Sequence, residues 1–463
     1  MEPITLRTLI DVVGGTLLGD YSNLDAVIAQ VDTDSRSIRP GSLFIPREGE
    51  RFDAHAFIPD ALDAGAAGCL TARVRETDRP GKFYIKVEST QRALRDLARW
   101  YRGQFDIPVI AVTGSVGKTT TKDMVAAVLG ERWQVLKTEG NFNNNIGLPL
   151  TVLRLDRTVE MCVLEMGMNH AGEIDYLADI ARPDVALITN IGDCHIEYLG
   201  SREGIFRAKC EVFGHMDDKG VAILNGDDEL LATLRGALPM ETVFTGMGSG
   251  LDYTARDIET DGEGRMSCTI QTPRAAFRAH IPALGRHMVY PALMAAAVGE
   301  RYGMTGEEIA RGIANFLPTK MRMNVLRLPG DVTVLNDAYN ANPQSMRAAA
   351  TVLRDVPGAR KVAVVGDMME LGDNSQQFHY AVGECFGELG ADCVIAVGQL
   401  AAAIAEGARE GGVARVLHFE SLEEAMGTIC GCLAPGTVIL VKASRAMHFE
   451  KIVIALADAA NRA

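Results

Sequence analysis

One short segment limits the fold of this chain more than any other, the stretch IAVTGSVGKTTTKD at residues 110–123. The uncharged, branched run IPVIAV precedes its two glycines and predicts a buried strand. Apolar residues at helical spacing follow, and they predict an amphipathic helix over residues 118–129. A strand, a glycine loop and a helix in this order place backbone N–H groups and the positive helix end around a phosphate. The segment is therefore predicted to bind a nucleotide.

Within this loop, Gly114 and Gly117 let the main chain approach a ligand, Lys118 supplies a positive charge, and the Thr119 hydroxyl can reach a magnesium ion. The general P-loop formula has a glycine where this chain has Val112. The alternative is an ordinary glycine turn that opens a helix, with its lysine in solvent. The predicted nucleotide-binding loop consists of Thr113, Gly114, Ser115, Val116, Gly117, Lys118, Thr119 and Thr120.

The composition excludes several classes of protein. With 463 residues, 47% hydrophobic and 23% charged, the chain has the composition of a globular protein of about three domains. A net charge of −14 argues against a nucleic-acid partner, since phosphate backbones bind basic surfaces. The start MEPITLRTLIDVVGG lacks the regions of a signal peptide, no apolar run approaches membrane-spanning length, and the nine cysteines are scattered. We expect a cytoplasmic protein with no membrane partner.

The pattern of apolar runs predicts an α/β fold with three domains. Residues 1–86 contain short strands and turns, including GSLFIP and HAFIPDALDAGAAGCLTA. Residues 87–318 alternate strands with helices, and the apolar runs stop at Gly, Asp or Asn, which is typical of a mostly parallel sheet with ligand groups at the strand ends. Residues 319–463 repeat this pattern and predict a smaller Rossmann-like domain.

Two polar residues follow strands of the middle domain. Glu165 ends the run CVLEMG, where a carboxylate can hold magnesium beside phosphates. His195 comes after the next strand, on the same side of the sheet. Each also has a simple structural alternative, a solvated glutamate and a structural histidine. Lys209, in FRAKCEVF, by itself predicts only a solvated helix face.

Motifs spread along the whole chain resemble the Mur ligase family. In the middle domain these are VTGSVGKTTTK, EGNFNNNIGLPLT, LEMGMNHAGEI, CHIEYLGS and AKCEVF. In the third domain, NDAYNANPQSM, VVGDMMELG and LVKASRAMHFEKI are similar to the branch that adds D-alanyl-D-alanine to UDP-N-acetylmuramoyl-tripeptide. The leading DTDSRSIRPGSLFIPREGERFDAHAF is similar to the family's UDP-substrate domain.

This resemblance implies an ATP-dependent amide ligase of peptidoglycan precursor synthesis. ATP would phosphorylate the terminal carboxylate of the UDP-linked tripeptide, and the D-alanyl-D-alanine amine would attack the acyl phosphate. The enzyme would be a cytoplasmic monomer that closes about its linkers. Two alternatives stay open: a Mur-type ligase that adds a single amino acid, and a nucleotide-binding regulator without turnover.

The resemblance also implies roles for individual residues. The catalytic set would be Lys118 on the β- and γ-phosphates, His195, and Lys209 carrying a carbamate. Two magnesium ions are implied, held by Thr119, Glu165, His195 and the Lys209 carbamate. Further ATP contacts are implied at His287, Arg322, Asp337 and Asn340. UDP-substrate contacts are implied at Asp34, Ser35, Arg36, Asn143 and Asn144. The family has two asparagines near the adenine where this chain has Met288 and Pro291, so the adenine contacts are expected to differ.

Overall fold

The computed structural model of the chain describes residues 1–49, 52–73 and 79–462. Its three large sheets follow one another along the sequence, with five, nine and six strands. They fall within the ranges 1–86, 87–318 and 319–463, although the exact domain limits stay a prediction. Two residues of the leading motif, Glu50 and Arg51, lie outside the described residues.

The leading domain is a small mixed sheet with two helices. Its sheet has the order β2-β9-β8-β5-β4. Its elements are β1 (Ile4–Thr5), α1 (Leu6–Val13), β2 (Thr16–Leu18), β3 (Val27–Ile28), β4 (Val31–Asp32), β5 (Leu43–Phe44), β6 (Glu48–Gly49), β7 (Phe52–Asp53), α2 (Ile58–Asp63), β8 (Gly68–Thr71) and β9 (Phe83–Lys86).

The sequence prediction of strands and turns was wrong within HAFIPDALDAG, where Ile58–Asp63 form α2. A proline stands in the first turn of this helix, where its missing N–H has no intrahelical partner to lose. Ile58, Ala61 and Leu62 are buried on one face, which is the spacing of a helix and not of a strand.

The middle domain begins with helix α3 and contains the predicted mostly parallel sheet. Its strand order is β11-β12-β10-β13-β14-β15-β16-β17-β18, parallel up to β16 and antiparallel beyond it. Its elements are α3 (Thr90–Arg102), β10 (Val109–Thr113), α4 (Lys118–Leu129), β11 (Val135–Lys137), α5 (Gly147–Val152), β12 (Met161–Glu165), α6 (Glu173–Ala181), β13 (Val185–Ile188), α7 (Ile196–Leu199), α8 (Arg202–Cys210), β14 (Val221–Asn225), α9 (Glu229–Ala232), β15 (Glu241–Gly246), β16 (Tyr253–Thr260), β17 (Arg265–Gln271), β18 (Ala276–Leu284), α10 (Val289–Arg301) and α11 (Gly306–Ala314).

The register of this sheet brings the predicted polar residues to one edge. β10 lies between β12 and β13 and is parallel to both. Val112 pairs with Glu165, and Thr113 pairs with Ile188. Parallel strands end on the same side of a sheet, so the glycine loop, Glu165 and the segment after β13 are neighbours.

The third domain is a parallel sheet with one antiparallel edge strand. Its order is β19-β20-β24-β21-β22-β23, and only the β19 pair is antiparallel. Its elements are β19 (Asn324–Leu328), β20 (Val332–Asn336), α12 (Pro343–Asp355), β21 (Arg360–Gly366), α13 (Ser375–Glu388), β22 (Cys393–Val397), α14 (Ala401–Glu410), β23 (Arg415–Phe419), α15 (Leu422–Cys430), β24 (Thr437–Lys442) and α16 (Glu450–Ala460). Across the described ranges, every helix is too short or too polar to cross a membrane.

Candidate functional site

A cavity of about 700 Å³ lies between the middle and third domains. The middle domain contributes the glycine loop, the asparagine-rich segment before α5 and the end of β12. The third domain contributes the segments that follow β20, β21 and β24. The carboxyl ends of two parallel sheets therefore face the same space, and this is where α/β domains bind ligands.

The glycine loop is shaped by the segment that follows β13. The N–H groups of Ser115 and Val116 donate to Asn190, to its backbone carbonyl and its side-chain Oδ1, both at 3.0 Å. Gly114 has φ 141°, and a Cβ there would lie 1.9 Å from the Thr189 hydroxyl oxygen. Only glycine fits this position, since the loop packs directly on the next strand end.

The start of α4 is the part of the loop that remains able to bind an anion. Gly117, at φ 86°, is the N-cap of α4, and Lys118 is its first residue. The first N–H groups of a helix have no intrahelical acceptor. Since Ser115 and Val116 already donate to Asn190, the N–H groups available to a phosphate are those from Gly117 to Thr120.

Lys118 folds over the loop that precedes it. Its Nζ donates to the carbonyl oxygens of Gly114 at 2.6 Å and Ser115 at 3.2 Å. Burial by the cavity walls lowers the pKa of the Lys118 amine, and the Glu165 carboxylate partly opposes that effect. The side chain is half-buried and lines the cavity, so its ammonium can exchange these carbonyls for phosphate oxygens.

Glu165 has one carboxylate oxygen that is hydrogen-bonded and one that has no partner in the described residues. The side chain is 2% exposed. Its Oε1 accepts a hydrogen bond from the Asn143 side chain at 2.7 Å. Its Oε2 is buried and has no hydrogen-bond partner among the described residues. A buried carboxylate oxygen without a donor is costly unless a cation compensates it, so the residue fits a magnesium ligand.

Lys209 is buried, which contradicts the simple interpretation as a solvated helix face. It lies on α8 and is 2% exposed. In the part of the chain that the structure describes, its ammonium makes no hydrogen bond. Burial lowers the pKa of this amine well below its usual value, and the Lys118 charge lowers it further. The Cys194 thiol, whose own pKa is raised by burial, partly opposes these two effects.

His195 lies at the domain boundary and not only at a strand end. It is the N-cap of α7, with φ 63°. Its Nδ1 lies 2.6 Å from Oε2 of Glu370, which belongs to the third domain. The histidine holds the pKa of the Glu370 carboxyl below its usual value. The pair therefore links the two walls of the cavity.

The third-domain wall contains a buried ion pair. Lys442 is 2% exposed, and its Nζ lies 2.5 Å from Asp337 Oδ2 and donates to the Asn340 carbonyl at 2.8 Å. Arg322 stacks on the Tyr339 ring with its Cζ at 4.1 Å. Its Nε is buried and, within the described ranges, lacks a hydrogen-bond acceptor. A ligand with an anionic or carbonyl oxygen would satisfy that donor.

The segment between β18 and α10 forms one side of the cavity. His287 faces the cavity, and burial lowers the pKa of its imidazole. Met288 also lines the cavity although it is only 6% exposed, so it belongs both to the wall and to the core. Pro291 is buried in α10, where it contributes to packing.

Other predicted residues lie in different positions. Asn143 and Asn144 line the cavity, and the Asn144 side chain accepts from the N–H groups at the start of α5. Asp34 and Arg36 pair with each other at 2.7 Å on the surface of the leading domain, with Ser35 between them. These three residues do not line the cavity.

Thr113 belongs to the loop without facing the cavity. It is fully buried, and its hydroxyl donates to the Met166 carbonyl at 2.9 Å. Gly114 and Lys209 do not line the cavity either. The remaining predicted residues do line it, namely Ser115, Val116, Gly117, Lys118, Thr119, Thr120, Glu165, His195, His287, Arg322, Asp337 and Asn340.

Among the cavity residues that escaped the sequence prediction, three have defined partners. Lys442 and Glu370 follow third-domain strands, the same signal that identified Glu165. The third is Asn342, whose Nδ2 lies 2.8 Å from the Cys194 sulfur while its Oδ1 caps α12. Asn342 followed by proline is a helix-start signal, but its contact across the domain boundary has no signal in the local sequence.

Three family models match successive parts of the chain. "Mur ligase family, catalytic domain" matches residues 27–102, "Mur ligase middle domain" matches residues 112–299, and "Mur ligase, glutamate ligase domain" matches residues 321–445. A UDP-N-acetylmuramoyl-tripeptide--D-alanyl-D-alanine ligase of Bacillus subtilis (strain 168) is 41% identical over 97% of both chains. The chain belongs to the Mur ligase family.

Solved structures of this family match across all three domains. A crystal structure of MurF from Acinetobacter baumannii matches with a TM-score of 0.91 at 35% identity, over 99% of both chains. MurF ligase from Thermotoga maritima in complex with ADP matches with a TM-score of 0.83 at 30% identity, over 94% of this chain and 98% of that one. This Mur ligase is accordingly an ATP-dependent enzyme that forms a peptide bond.

Proposed function

We propose that this chain catalyses the ATP-dependent addition of D-alanyl-D-alanine to UDP-N-acetylmuramoyl-tripeptide in peptidoglycan precursor synthesis. The observation that carries the proposal is the cavity between two sheet ends, with an anion-binding helix start on one wall and the Arg322 and Glu370 side chains on the other. A ligase needs such a shared space, because it must bring ATP, a carboxylate and an amine together. The proposal is also supported by relatives of that name that match over nearly the whole chain.

The chemistry explains why the site needs fixed cations. A carboxylate resists attack by an amine because it is charged and resonance-stabilised. In the proposed first step, one of its oxygens bonds to the γ-phosphorus of ATP and ADP leaves. The dipeptide nitrogen then bonds to the acyl carbon and loses a proton, and phosphate leaves with the oxygen that had joined it to the carbon. Negative charge moves across the phosphoryl group in the first step, so positive groups must already be in place.

The chain supplies these groups from both walls. The N–H groups at the start of α4 would hold the phosphates, and Lys118 would turn its ammonium from the loop carbonyls toward them. On the other wall, the Arg322 Nε, which has no partner in the described residues, offers a second donor. Lys442 holds Asp337 and the Asn340 carbonyl in place, where they would contact the part of the nucleotide beyond the phosphates. His287 and the apolar side chain of Met288 lie where an adenine contact is proposed.

Magnesium is proposed as the cofactor, with Thr119 and Glu165 as ligands of one ion and His195 beside a second. The unpartnered Glu165 Oε2 and the oxygen-rich surroundings fit this ion. When bound, magnesium neutralises phosphate charge. The protein's own part is to hold Glu165 rigidly, through the Asn143 hydrogen bond to its Oε1 and the Thr138 hydroxyl on its backbone N–H.

Lys209 is proposed to react with carbon dioxide to give a carbamate. The neutral amine nitrogen bonds to the carbon, and one proton is released. The lowered pKa favours this reaction, since it keeps more of the amine neutral at a given pH. The modification would also replace an unpaired buried ammonium near Lys118 by an anion, which removes the repulsion between the two cations.

The UDP end of the substrate is proposed to contact the leading domain at Asp34, Ser35 and Arg36, and its peptide end to contact Asn143 and Asn144. Arg36 is exposed and both Asp34 and Ser35 are partly exposed, although Asp34 and Arg36 must exchange their mutual ion pair for ligand contacts. The asparagines lie on the cavity wall next to Glu165. The enzyme is further proposed to act as a monomer in the cytoplasm, the compartment in which ATP is available.

The test is phosphate release by the purified chain with ATP, magnesium and the UDP-linked tripeptide. Three reactions are compared, with D-alanyl-D-alanine, with a single D-amino acid and with no acceptor. Turnover that requires the dipeptide is the expected result. Turnover with the single amino acid instead would identify a different Mur-type ligase. Nucleotide binding without turnover under all three conditions would indicate a regulator and overturn the proposal.

A further inference from the structure

The dipeptide that accepts the acyl group in the proposed reaction needs an anionic contact in the cavity. This inference rests on the proposed function. A dipeptide carries an ammonium group at the end that reacts, since α-amino groups have pKa values of roughly 8. That nitrogen must arrive beside the phosphate loop in a fixed orientation, and it must release one proton to solvent before it attacks, because an ammonium has no lone pair. A carboxylate on the cavity wall is the ordinary protein group for an ammonium ligand.

Four carboxylates line the cavity in the part of the chain that the structure describes, and three of them have partners within their own domain. Glu165 accepts from Asn143 and belongs to the proposed magnesium site. Glu173 accepts from two backbone N–H groups just before α6. Asp337 is neutralised by Lys442 at 2.5 Å. Glu370 is the remaining one.

The backbone presents Glu370 to the opposite wall. Its φ of 64° lies in the left-handed region, which is uncommon for a residue with a side chain. Such strain persists where the surrounding structure maintains it, and often at binding sites. Here the preceding residue is fixed, because the Met369 N–H donates to the Ser444 hydroxyl at 3.0 Å, and the following Leu371 is buried.

The result is a carboxylate that reaches across the domain boundary. Glu370 Oε2 lies 2.6 Å from His195 Nδ1, and the side chain is still 38% exposed. His195 belongs to the segment after β13, which also shapes the phosphate loop through Asn190. A cation held by Glu370 would therefore lie beside the site of phosphoryl transfer.

We propose that Glu370 binds the ammonium group of the incoming dipeptide and positions its nitrogen next to His195. The contact is a charge-assisted hydrogen bond from ammonium to carboxylate. It forms only when the two domains are together, so acceptor binding and domain closure favour each other. The short 3₁₀ helix Gly372–Asn374 follows Glu370 and provides an exposed carboxylate, Asp373, as a matched control.

The experiment compares two ligands that differ only in this charge. D-alanyl-D-alanine is the acceptor, and isobutyryl-D-alanine, in which a methyl group replaces the ammonium, is a competitive inhibitor of similar shape. The KM for the dipeptide and the Ki of isobutyryl-D-alanine are measured at saturating ATP and UDP-linked tripeptide. The proteins compared are the full-length wild type, Glu370→Gln and Asp373→Asn. We expect Glu370→Gln to raise the KM for the dipeptide by about tenfold or more. The Ki of isobutyryl-D-alanine and the KM for ATP should stay within about twofold, and Asp373→Asn should resemble the wild type.

Two results would overturn the inference while leaving the proposed function intact. One is a dipeptide KM within about twofold of wild type in Glu370→Gln. The other is a parallel rise in the dipeptide KM and the isobutyryl-D-alanine Ki, which would indicate a general disturbance of the cavity. A wild-type enzyme without dipeptide-dependent phosphate release would overturn the proposed function and this inference with it.

Discussion

Lys118 and Lys209 show how individual residues determine the chemistry of this cavity. Burial lowers the pKa of both amines, because protein atoms replace the water that would solvate an ammonium. The Lys118 ammonium donates hydrogen bonds to two carbonyl oxygens, whereas Lys209 has no hydrogen-bond acceptor in the described residues. We therefore propose different roles for the two, Lys118 as a fixed cation and Lys209 as an amine to be modified.

Lys118→Ala removes the cation proposed to stabilise the transferring phosphoryl group. We expect turnover to fall at least about a hundredfold, the usual cost of a lost electrostatic contact in the transition state. The fold should be retained, since the side chain faces the cavity. Phosphate release and a thermal unfolding profile measure the two effects. Near-normal ligation by a folded variant would contradict the assignment of the loop.

Lys209→Ala removes the proposed carbamate. We expect almost no activity, with partial recovery on adding acetate or formate, which can place a carboxylate in the vacated space. Lys209→Arg keeps a cation there and should not be rescued. Wild-type activity should rise with bicarbonate and with pH, because the reactive species is the neutral amine. A change of less than about twofold in Lys209→Ala would exclude the residue from the site.

At the scale of elements, many of the cavity residues lie at or just after the carboxyl ends of strands. The sequence predicted the strand, the loop and the 118–129 helix, because each has a strong local pattern. It also predicted Glu165 at a strand end, and the β10–β12 register places it beside the loop. Helix α2 was missed because burial of one of its faces determines it. The roles of Glu370 and Lys442 were missed because their partners, His195 and Asp337, lie far along the chain.

The start of α11 offers a test of element stability. Thr305 and Glu308 form a reciprocal cap, and Glu308 also pairs with Arg132 after α4 at 2.6 Å. The Arg132 hydrogen bond is the main reason that the pKa of Glu308 falls to about 2 from 4.5. A carboxylate with a lowered folded-state pKa stabilises the protein above its unfolded pKa, and this effect is lost as the pH falls toward the folded value.

We therefore expect Glu308→Ala to lower the urea midpoint at pH 7 and to lower it less at pH 4. Glu307→Ala is the matched control, because Glu307 is an exposed acidic residue in the same first turn without the cap or the arginine. A midpoint difference that is equal at the two pH values, or equal for the two variants, would contradict this account of α11.

For the whole molecule, the main feature is that the two walls of the candidate site belong to different domains. The cavity is complete only when the middle and third domains are together, and contacts such as Asn342 with Cys194 and Glu370 with His195 cross between them. Those two contacts are polar, but Leu284 of β18 also packs into the apolar core of the third domain, so the boundary is partly hydrophobic.

Small-angle scattering tests this closure in solution. We expect the radius of gyration to fall when both nucleotide and UDP-linked tripeptide are bound, relative to the free protein. The forward scattering should correspond to a monomer of 49.8 kDa. An unchanged radius in the fully liganded enzyme would contradict ligand-driven closure, and a doubled mass would contradict the predicted monomer.

The central claim is that a carboxylate is activated as an acyl phosphate before the peptide bond forms. Its most direct test uses UDP-linked tripeptide labelled with ¹⁸O in the terminal carboxylate, incubated with ATP, magnesium, D-alanyl-D-alanine and the enzyme. The account predicts that each phosphate released carries one ¹⁸O, because the oxygen that bonds to phosphorus leaves with it. Unlabelled phosphate released together with ligated product would contradict the account.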